Sequence, residues 1–432
     1  QKYAATVKAA AELQPVLTGR LEEYGMIELY NSVELPLVKV LADMEHEGFS
    51  VDKAMLEVLS GDFAKQIDAL TSEVYRLSGE EFNINSTRQL GTVLFDKLGL
   101  PAMKKTKTGY STDVEVLEQL YDKHPIIQKL LEYRQLVKLK STYVDGLIGI
   151  INPETGRIHT KLNQTVTVTG RLSSTEPNLQ NIPIRTENGR QIRKVFVPRS
   201  QEYILVDADY SQIELRVLAH ISGDKGLIDT FKRNEDIHTR TASEVFGIEI
   251  KDVTPLMRGR AKAVNFGIVY GISDYGLSQD LKIPRKEAKK YIDNYFARYP
   301  GVKQYMTDIV ETARTDGYVK TIMNRRRYIP EITSRNAVNR NFGERIALNT
   351  PIQGSAADLI KMAMVKVYDE LKKRNLKSRL ILQVHDELIL ETHKDELSEV
   401  KNLVKECMEN AIKLSVPVIA DISSGDSWYN AK

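Results

Sequence analysis

Two short apolar stretches lie far apart in this 432-residue sequence, and both carry acidic residues. The first is Tyr203-Ile204-Leu205-Val206, with Asp209 just beyond it. The second is the pair Leu380–Val384 and Leu388–Leu390, with His385-Asp386-Glu387 between them. Their length and apolar content mark them as strands, the second pair as a hairpin. From Leu227 to Leu371 the apolar residues recur at three and four spacing, which predicts helices. Strands that flank a long helical block must come together from distant parts of the chain. The sequence therefore reads as α+β with a discontinuous sheet domain.

The chain is too long for one compact core, and two to four packing units are expected. Helical patterning covers Leu35 to Leu77 and Val114 to Ile148. The Ser-, Asn- and Lys-rich stretch from Asn83 to Thr112 reads as surface loop. Ile158 to Val168 alternates and is rich in Thr and Val, which predicts strand, and Ser211 to Ile221 reads as helix. Hydrophobic content of 42% and charged content of 28% fit a soluble globular chain. No run of about 18 apolar residues is present, so no membrane partner is expected. No signal peptide is visible at a start that reads as a fragment or processed chain. The single cysteine, Cys407, excludes an intrachain disulfide and any multi-cysteine zinc site, and points to a reducing, cytoplasmic setting. A net charge of +3 does not itself announce a nucleic-acid binder. Basic residues nevertheless cluster at Lys104-Lys105-Thr106-Lys107, Arg258-Gly259-Arg260-Ala261-Lys262 and Arg325-Arg326-Arg327, where they can grip phosphates or simply face water.

Three segments carry chemistry. Asp209-Tyr210-Ser211-Gln212-Ile213-Glu214 puts a carboxylate where an apolar strand gives way to a helix. Asp386-Glu387 sits in a hairpin turn, where turn chemistry usually favours Gly or Asn. Two such hard-oxygen sites on one sheet could share a pair of Mg²⁺ ions about 4 Å apart. The third segment begins with Thr254-Pro255, an N-cap followed by proline at the first helical position, and stops at Gly271. Between these, Arg258, Lys262, Phe266 and Tyr270 recur every four residues. At 100° per residue each step drifts only about 40°, so the four share one slowly turning stripe. The cations lie towards the helix N-terminus, where the macrodipole disfavours them unless an anion is bound. The aromatic residues could stack on a base. The helix thus looks built to hold a nucleoside triphosphate lengthwise, the alternative being an amphipathic surface helix with core aromatics.

Taken together, these segments resemble motifs A, B and C of the family A DNA polymerases, the DNA polymerase I or Klenow type. Thr169-Gly170-Arg171-Leu172-Ser173-Ser174, running on to Asn178-Leu179-Gln180-Asn181-Ile182-Pro183, is also typical of that family. The resemblance covers Leu35 to Lys432. It implies a right-hand polymerase fold with an antiparallel-sheet palm, helical fingers and a helical thumb. The implied division is an exonuclease-like remnant over 1–34, thumb with connecting helices over 35–151, palm over 152–211, fingers over 212–378 and palm again over 379–432. By the same resemblance Asp209 and Asp386 would be metal ligands, with the carbonyl of Tyr210 assisting and Glu387 as an accessory carboxylate. The cofactor would be two Mg²⁺ ions, for which Mn²⁺ may substitute. Arg258, His238 and Lys262 would contact the triphosphate, Lys262 counting among the catalytic residues. Phe266 would pack on the incoming sugar and base, and Tyr270 would lie at the template insertion position. Glu214 would be the gate against a 2′-hydroxyl, with Gln212 beside it in the substrate site. Arg185, Asn349 and Gln353 would read the minor-groove side of the new pair, and His385 would lie near the primer end. Asn85 to Tyr110 would be the thumb tip. The implied partners are primer-template DNA and deoxynucleoside triphosphates, the implied setting the bacterial cytoplasm at the nucleoid, and the implied state a monomer.

Two positions depart from the pattern. Gly259 stands where relatives often carry a second arginine. Tyr3-Ala4-Ala5-Thr6-Val7 resembles the end of a proofreading exonuclease domain, but Val7 replaces the metal-binding aspartate, so no proofreading is expected of this chain. Of the rival readings, a phage-type RNA polymerase is disfavoured by Glu214 and Phe266. A catalytically inactive DNA-binding relative would have lost Asp209 or Asp386. Activity on RNA templates stays open as a side reaction.

Overall fold

The structure is a computed structural model that describes every residue except Gln1, Lys107, Thr108 and Arg185, and only the backbone of Lys2, Lys105 and Thr106. The chain forms two compact units, neither continuous in sequence. One comprises residues 1–48, 160–176 and 200–424, the other residues 49–159, 177–199 and 425–432.

The first unit is built around a four-stranded sheet. Its order is Arg379–Val384, Glu387–His393, Tyr203–Tyr210, Ala420–Gly425, so the central pairing joins the two distant apolar stretches. The hairpin and the central pair are both antiparallel. All seven residues of Glu387–His393 are buried, as suits a strand covered on both faces. Helix Leu397–Glu409 and the long helix Ala337–Lys373 pack on this sheet and on each other. Leu359, Ala363, Met364 and Val367 of the long helix share a core with Val206, Leu388 and Leu390 of the strands. The α+β reading and its discontinuous sheet therefore hold. The region from Leu227 to Leu371 is helical as expected, except for the hairpin Tyr318–Lys320 and Arg326–Tyr328.

The Arg325-Arg326-Arg327 cluster turns inward rather than forming a phosphate stripe. Arg325 pairs with Asp358 and Glu34, and Glu34 also takes the ammonium of the fully buried Lys361 at 2.9 Å. Arg326 lies over the rings of Tyr24 and Tyr318, and Arg327 donates to Thr350. Desolvation is the largest influence on Glu34, Arg325, Asp358 and Lys361, and their mutual pairing offsets it. Burial pushes Lys361 below the ordinary lysine range while Glu34 opposes the shift.

In the second unit, helices Lys53–Ser78 and Pro125–Lys138 pack against each other over a core that includes Val74, Leu90, Leu94, Leu117, Ile127 and Leu130. Two expectations need correction here and in the neighbouring segment. Asn83–Thr112 is not all surface loop. Ser86 caps helix Thr87–Gly91, a wider helical turn continues over Thr92–Lys97, and Leu90, Val93 and Leu94 are buried. Their three-and-four spacing was present but masked by polar neighbours. Ile158–Val168 is not one strand either. Pairing is limited to Arg157–Ile158 and Lys161–Asn163, and Val166 and Val168 lie exposed in a turn segment. With no partner strand beside them, β-branched residues alone do not make a ladder. The C-terminal tail is fixed by Trp428, fully buried against Phe49 and Phe196, with the Arg193 guanidinium 3.9 Å from its ring centre.

Candidate active site

The strand register builds the acidic end of the sheet. Asp209 lies opposite Glu387, and the Tyr210 amide donates to the Asp386 carbonyl at 3.1 Å. The two acidic segments, remote in sequence, are thus hydrogen-bonded neighbours. Val384 pairs with Glu387, leaving His385 and Asp386 as a two-residue turn. His385 takes a left-handed backbone, φ 55°, which costs a non-glycine residue roughly 1–2 kcal/mol. Gln383 donates its amide to the His385 carbonyl at 2.5 Å and holds the turn. Strain of this kind tends to persist where a side chain must be aimed. Burial raises the Asp386 carboxyl above its usual range, opposed by its own amide, Arg171 and His385, while Glu387 adds to the rise. Tyr210 is anchored from below, its hydroxyl donating to the Met408 carbonyl at 2.8 Å.

Past the strand, Gln212 adopts φ 53° and starts helix Ile213–Ser222, so Glu214 falls in its first turn, next to the acids. Glu214 is buried, with two donors on its carboxylate: Arg171 at 2.6 Å and the Tyr270 hydroxyl at 2.9 Å. Burial pushes its carboxyl upward, with Arg171 and Tyr270 pulling it back. Gln353 also reaches the Tyr270 hydroxyl, whose pKa is raised to about 12, chiefly by burial and then by Glu214. Gly170, which precedes Arg171, has φ 83°, and an added Cβ there would lie 2.5 Å from Arg325 Nε. A side chain at that left-handed position would be strained and would have to displace Arg325.

Helix Pro255–Val269 begins as expected, the Thr254 hydroxyl accepting from the Met257 amide at 3.3 Å. Tyr270 is its C-cap, and Gly271 follows at φ 66°. Arg258 and Lys262 are exposed, Phe266 is half-buried, and Phe266 and Tyr270 stack with ring centres 6.5 Å apart. Lys262 has no ion pair among the described residues, whereas Arg258 grips Asp236 with two hydrogen bonds of 3.1 and 2.7 Å. Asp236 also caps helix Ile237–Phe246, accepting from the Thr239 amide at 2.6 Å. Despite opposing desolvation, these donors hold its carboxyl down to about 2.

His238, on the same helix, is buried and its pKa is lowered to about 4, by desolvation first and by Arg258 and Lys262 as well, against Asp236. The imidazole is therefore neutral at pH 7. Thr241 donates to Asn265 Oδ1 at 3.1 Å, which turns the Asn265 amide nitrogen towards His238 Nδ1 at 3.0 Å. That bond makes Nδ1 an acceptor and leaves the proton on Nε2. Asn349 and Gln353 lie on the long helix, and Asn349 Oδ1 is buried without a hydrogen-bond partner among the described residues. Arg185 lies outside the described residues.

The sequence reading passed over three contributors. Arg171 stood inside a quoted segment but no periodicity marks it. Asp236 was legible as an N-cap, though its pairing with Arg258 across the chain was not. Asn265 faces inward, off the ligand stripe, and its role in setting the His238 tautomer needs the packed helices to be seen.

The sequence profile of DNA polymerase family A matches residues 53–430. The chain is 55% identical over 427 residues to DNA polymerase I of Geobacillus stearothermophilus, covering 98% of this chain and 49% of that protein. It is 56% identical over 404 residues to DNA polymerase I of Caldicellulosiruptor bescii, covering 94% and 47%. The chain thus spans about half the length of these relatives. Among solved structures it is similar to the POL domain of Pol1 from M. smegmatis in complex with DNA primer-template and dNTP. That similarity has a TM-score of 0.92 and 49% identity, and it covers 98% of this chain and 74% of that one. The sheet with its paired acidic ends, the capped helix with its cation and aromatic stripe, and the profile match agree: the chain belongs to DNA polymerase family A.

Proposed function

We propose that this chain is a DNA-directed DNA polymerase that adds deoxynucleotides to a primer 3′ end on a DNA template, releasing pyrophosphate. The observation that carries the reading is the pairing of Tyr203–Tyr210 with Glu387–His393, which joins the Asp209 and Asp386 segments one turn from the buried Glu214. The donor set fits a hard divalent cation. It offers only oxygen donors, the carboxylates of Asp209 and Asp386 and the Tyr210 carbonyl, brought together by the strand pairing. Mg²⁺ suits such a set, because it takes one or two carboxylates and completes its shell with water and substrate phosphates. Asp209, Asp386 and the Tyr210 carbonyl would hold two Mg²⁺ ions, or Mn²⁺ in their place, with Glu387 alongside. When bound, such ions lower the pKa of the attacking hydroxyl and stabilise charge on the leaving group.

The protein's own side chains supply the rest. Lys262 and Arg258 meet the triphosphate at the N-terminal part of their helix, and His238 offers a neutral Nε2–H donor beside them. Lys262 offsets the charge that grows on the departing pyrophosphate. Phe266 packs on the sugar and base, and Tyr270 lies at the template insertion position. Glu214, held by Arg171 and Tyr270, leaves little room for a 2′-hydroxyl, and a site selects by making the wrong substrate costly. Gln212, Arg185, Asn349, Gln353 and His385 complete the contacts to the new pair and primer end. Asn85 to Tyr110 grips the duplex backbone. Val7 stands in place of an exonuclease ligand, so a mismatched primer should keep its length when nucleotides are withheld. The test of the whole reading is primer extension with Mg²⁺, comparing deoxy- and ribonucleotides on DNA and RNA templates. Template-dependent deoxynucleotide addition supports it, and absence of any extension refutes it.

A further inference from the structure

The two cations on the stripe of helix Pro255–Val269, Arg258 and Lys262, are not equally available. Lys262 is open, but Arg258 is already engaged by a carboxylate in the two-pronged geometry that a phosphate would use. That carboxylate is doubly placed. Asp236 Oδ1 caps the helix that carries His238, and the same oxygen accepts from Arg258 Nε. A cation near a helix N-terminus calls for an anion, and here the protein supplies one from within. We propose that Asp236 is a positioning residue that stands in for the nucleotide's phosphate: it holds Arg258 aligned in the empty site, yields it to the incoming triphosphate, and reclaims it as pyrophosphate leaves.

The exchange is cheap because both partners are partly solvated, with side chains 44% and 38% exposed. An exposed ion pair contributes little net free energy, so a polyanion can displace it. Asp236 then lowers affinity for nucleotide and for pyrophosphate alike. It stops the fingers cations from holding product, and it keeps His238 on an intact helix throughout. The inference rests on the reading that Arg258 contacts the triphosphate.

Asp236→Asn separates the two tasks, because asparagine caps a helix as well as aspartate does but removes the charge that competes for Arg258. Nucleotide affinity should be measured on the primer-template complex for wild type, Asp236→Asn, Asp236→Ala and Arg258→Ala, with pyrophosphate inhibition and thermal stability alongside. Asp236→Asn should bind nucleotide and pyrophosphate about 1.4- to fivefold more tightly, the range that competition from one exposed pair supplies. KM should fall without a rise in kcat. Asp236→Ala should in addition lose thermal stability through the missing cap. Arg258→Ala should weaken nucleotide binding. If Arg258→Ala weakens it but Asp236→Asn leaves affinity unchanged or lower, the stand-in role is overturned and the reading of Arg258 survives. If Arg258→Ala has no effect on nucleotide affinity, the reading of Arg258 fails and the inference falls with it.

Discussion

Shortening Glu214 to alanine should let ribonucleotides in, and the structure sets the scale of the effect. The carboxylate is buried and takes one bond from Arg171 and one from Tyr270. Losing two bonds to a charged acceptor would cost about 3–6 kcal/mol gross at 1.5–3 kcal/mol each. Two terms offset that loss. Burial already holds the Glu214 carboxyl above its usual range, so the ionised form carries a desolvation cost that the variant escapes. Arg171 is also a third exposed and stays hydrated once its partner is gone. The net stability loss should therefore be about 1–2 kcal/mol. The effect on substrate choice is separate. A pocket that rejects one added polar group by fit alone discriminates by about 10- to 200-fold. Glu214→Ala should lose most of that range, through faster ribonucleotide addition rather than slower deoxynucleotide addition. Glu214→Gln keeps the volume and should keep most of the discrimination. Tyr270→Phe removes only the hydroxyl and should change it little. The assay is the ratio of kcat/KM for matched ribo- and deoxynucleotides on one primer-template. If Glu214→Ala kept the wild-type ratio, or Glu214→Gln lost as much as Glu214→Ala, exclusion by bulk would be wrong.

Three further outcomes follow from particular residues. Gly259 is exposed within its helix, and an added Cβ meets nothing within 4 Å. Gly259→Ala should stabilise the protein by about 0.5–1 kcal/mol and leave nucleotide affinity within about twofold, whereas Lys262→Ala should weaken that affinity far more. Equal losses in the two variants would mean that the backbone at Gly259 must approach substrate. His238 is buried with its pKa lowered to about 4, below the ordinary 6.5, so the unfolded chain binds its proton more readily. Stability should fall as pH drops from 6.5 towards 4, by up to about 3 kcal/mol at 1.36 kcal/mol per unit, and His238→Gln should remove that part of the slope in denaturant titrations. Parallel curves for the two proteins would contradict a buried, neutral His238. Lys361→Ala should cost about 3–5 kcal/mol, because it strips a fully buried cation from Glu34, and a change under about 1 kcal/mol in chemical denaturation would show the network to be dispensable.

Much of this arrangement was legible before any coordinates. Strand Tyr203–Tyr210 and the Arg379–His393 hairpin announce themselves by short apolar runs. Helix Pro255–Val269 announces itself by its cap, its proline and its four-residue stripe. The sheet's discontinuity followed from their separation alone. What stayed hidden depends on partners distant in sequence. Nothing local says that Arg325 turns inward to Glu34 and Asp358, that Arg171 reaches Glu214, or that Asp236 takes Arg258. The surface-loop reading of Asn83–Thr112 failed because Leu90, Val93 and Leu94 sit among polar residues that dilute a short periodic signal. The strand reading of Ile158–Val168 failed because a ladder needs a neighbour, and Val166 and Val168 have none.

The proposed chemistry is centred on the acidic end of the sheet, where Asp209 lies opposite Glu387 beside Asp386. Asp209→Asn and Asp386→Asn keep side-chain size while removing one carboxylate charge from the proposed divalent site. Single-nucleotide primer extension with Mg²⁺ should fall at least about a thousandfold in each, as expected when several kcal/mol of charge stabilisation are lost. Primer-template binding should stay near wild type. Near-normal turnover in either variant would contradict the assignment of Asp209 and Asp386 as the carboxylates on which synthesis depends.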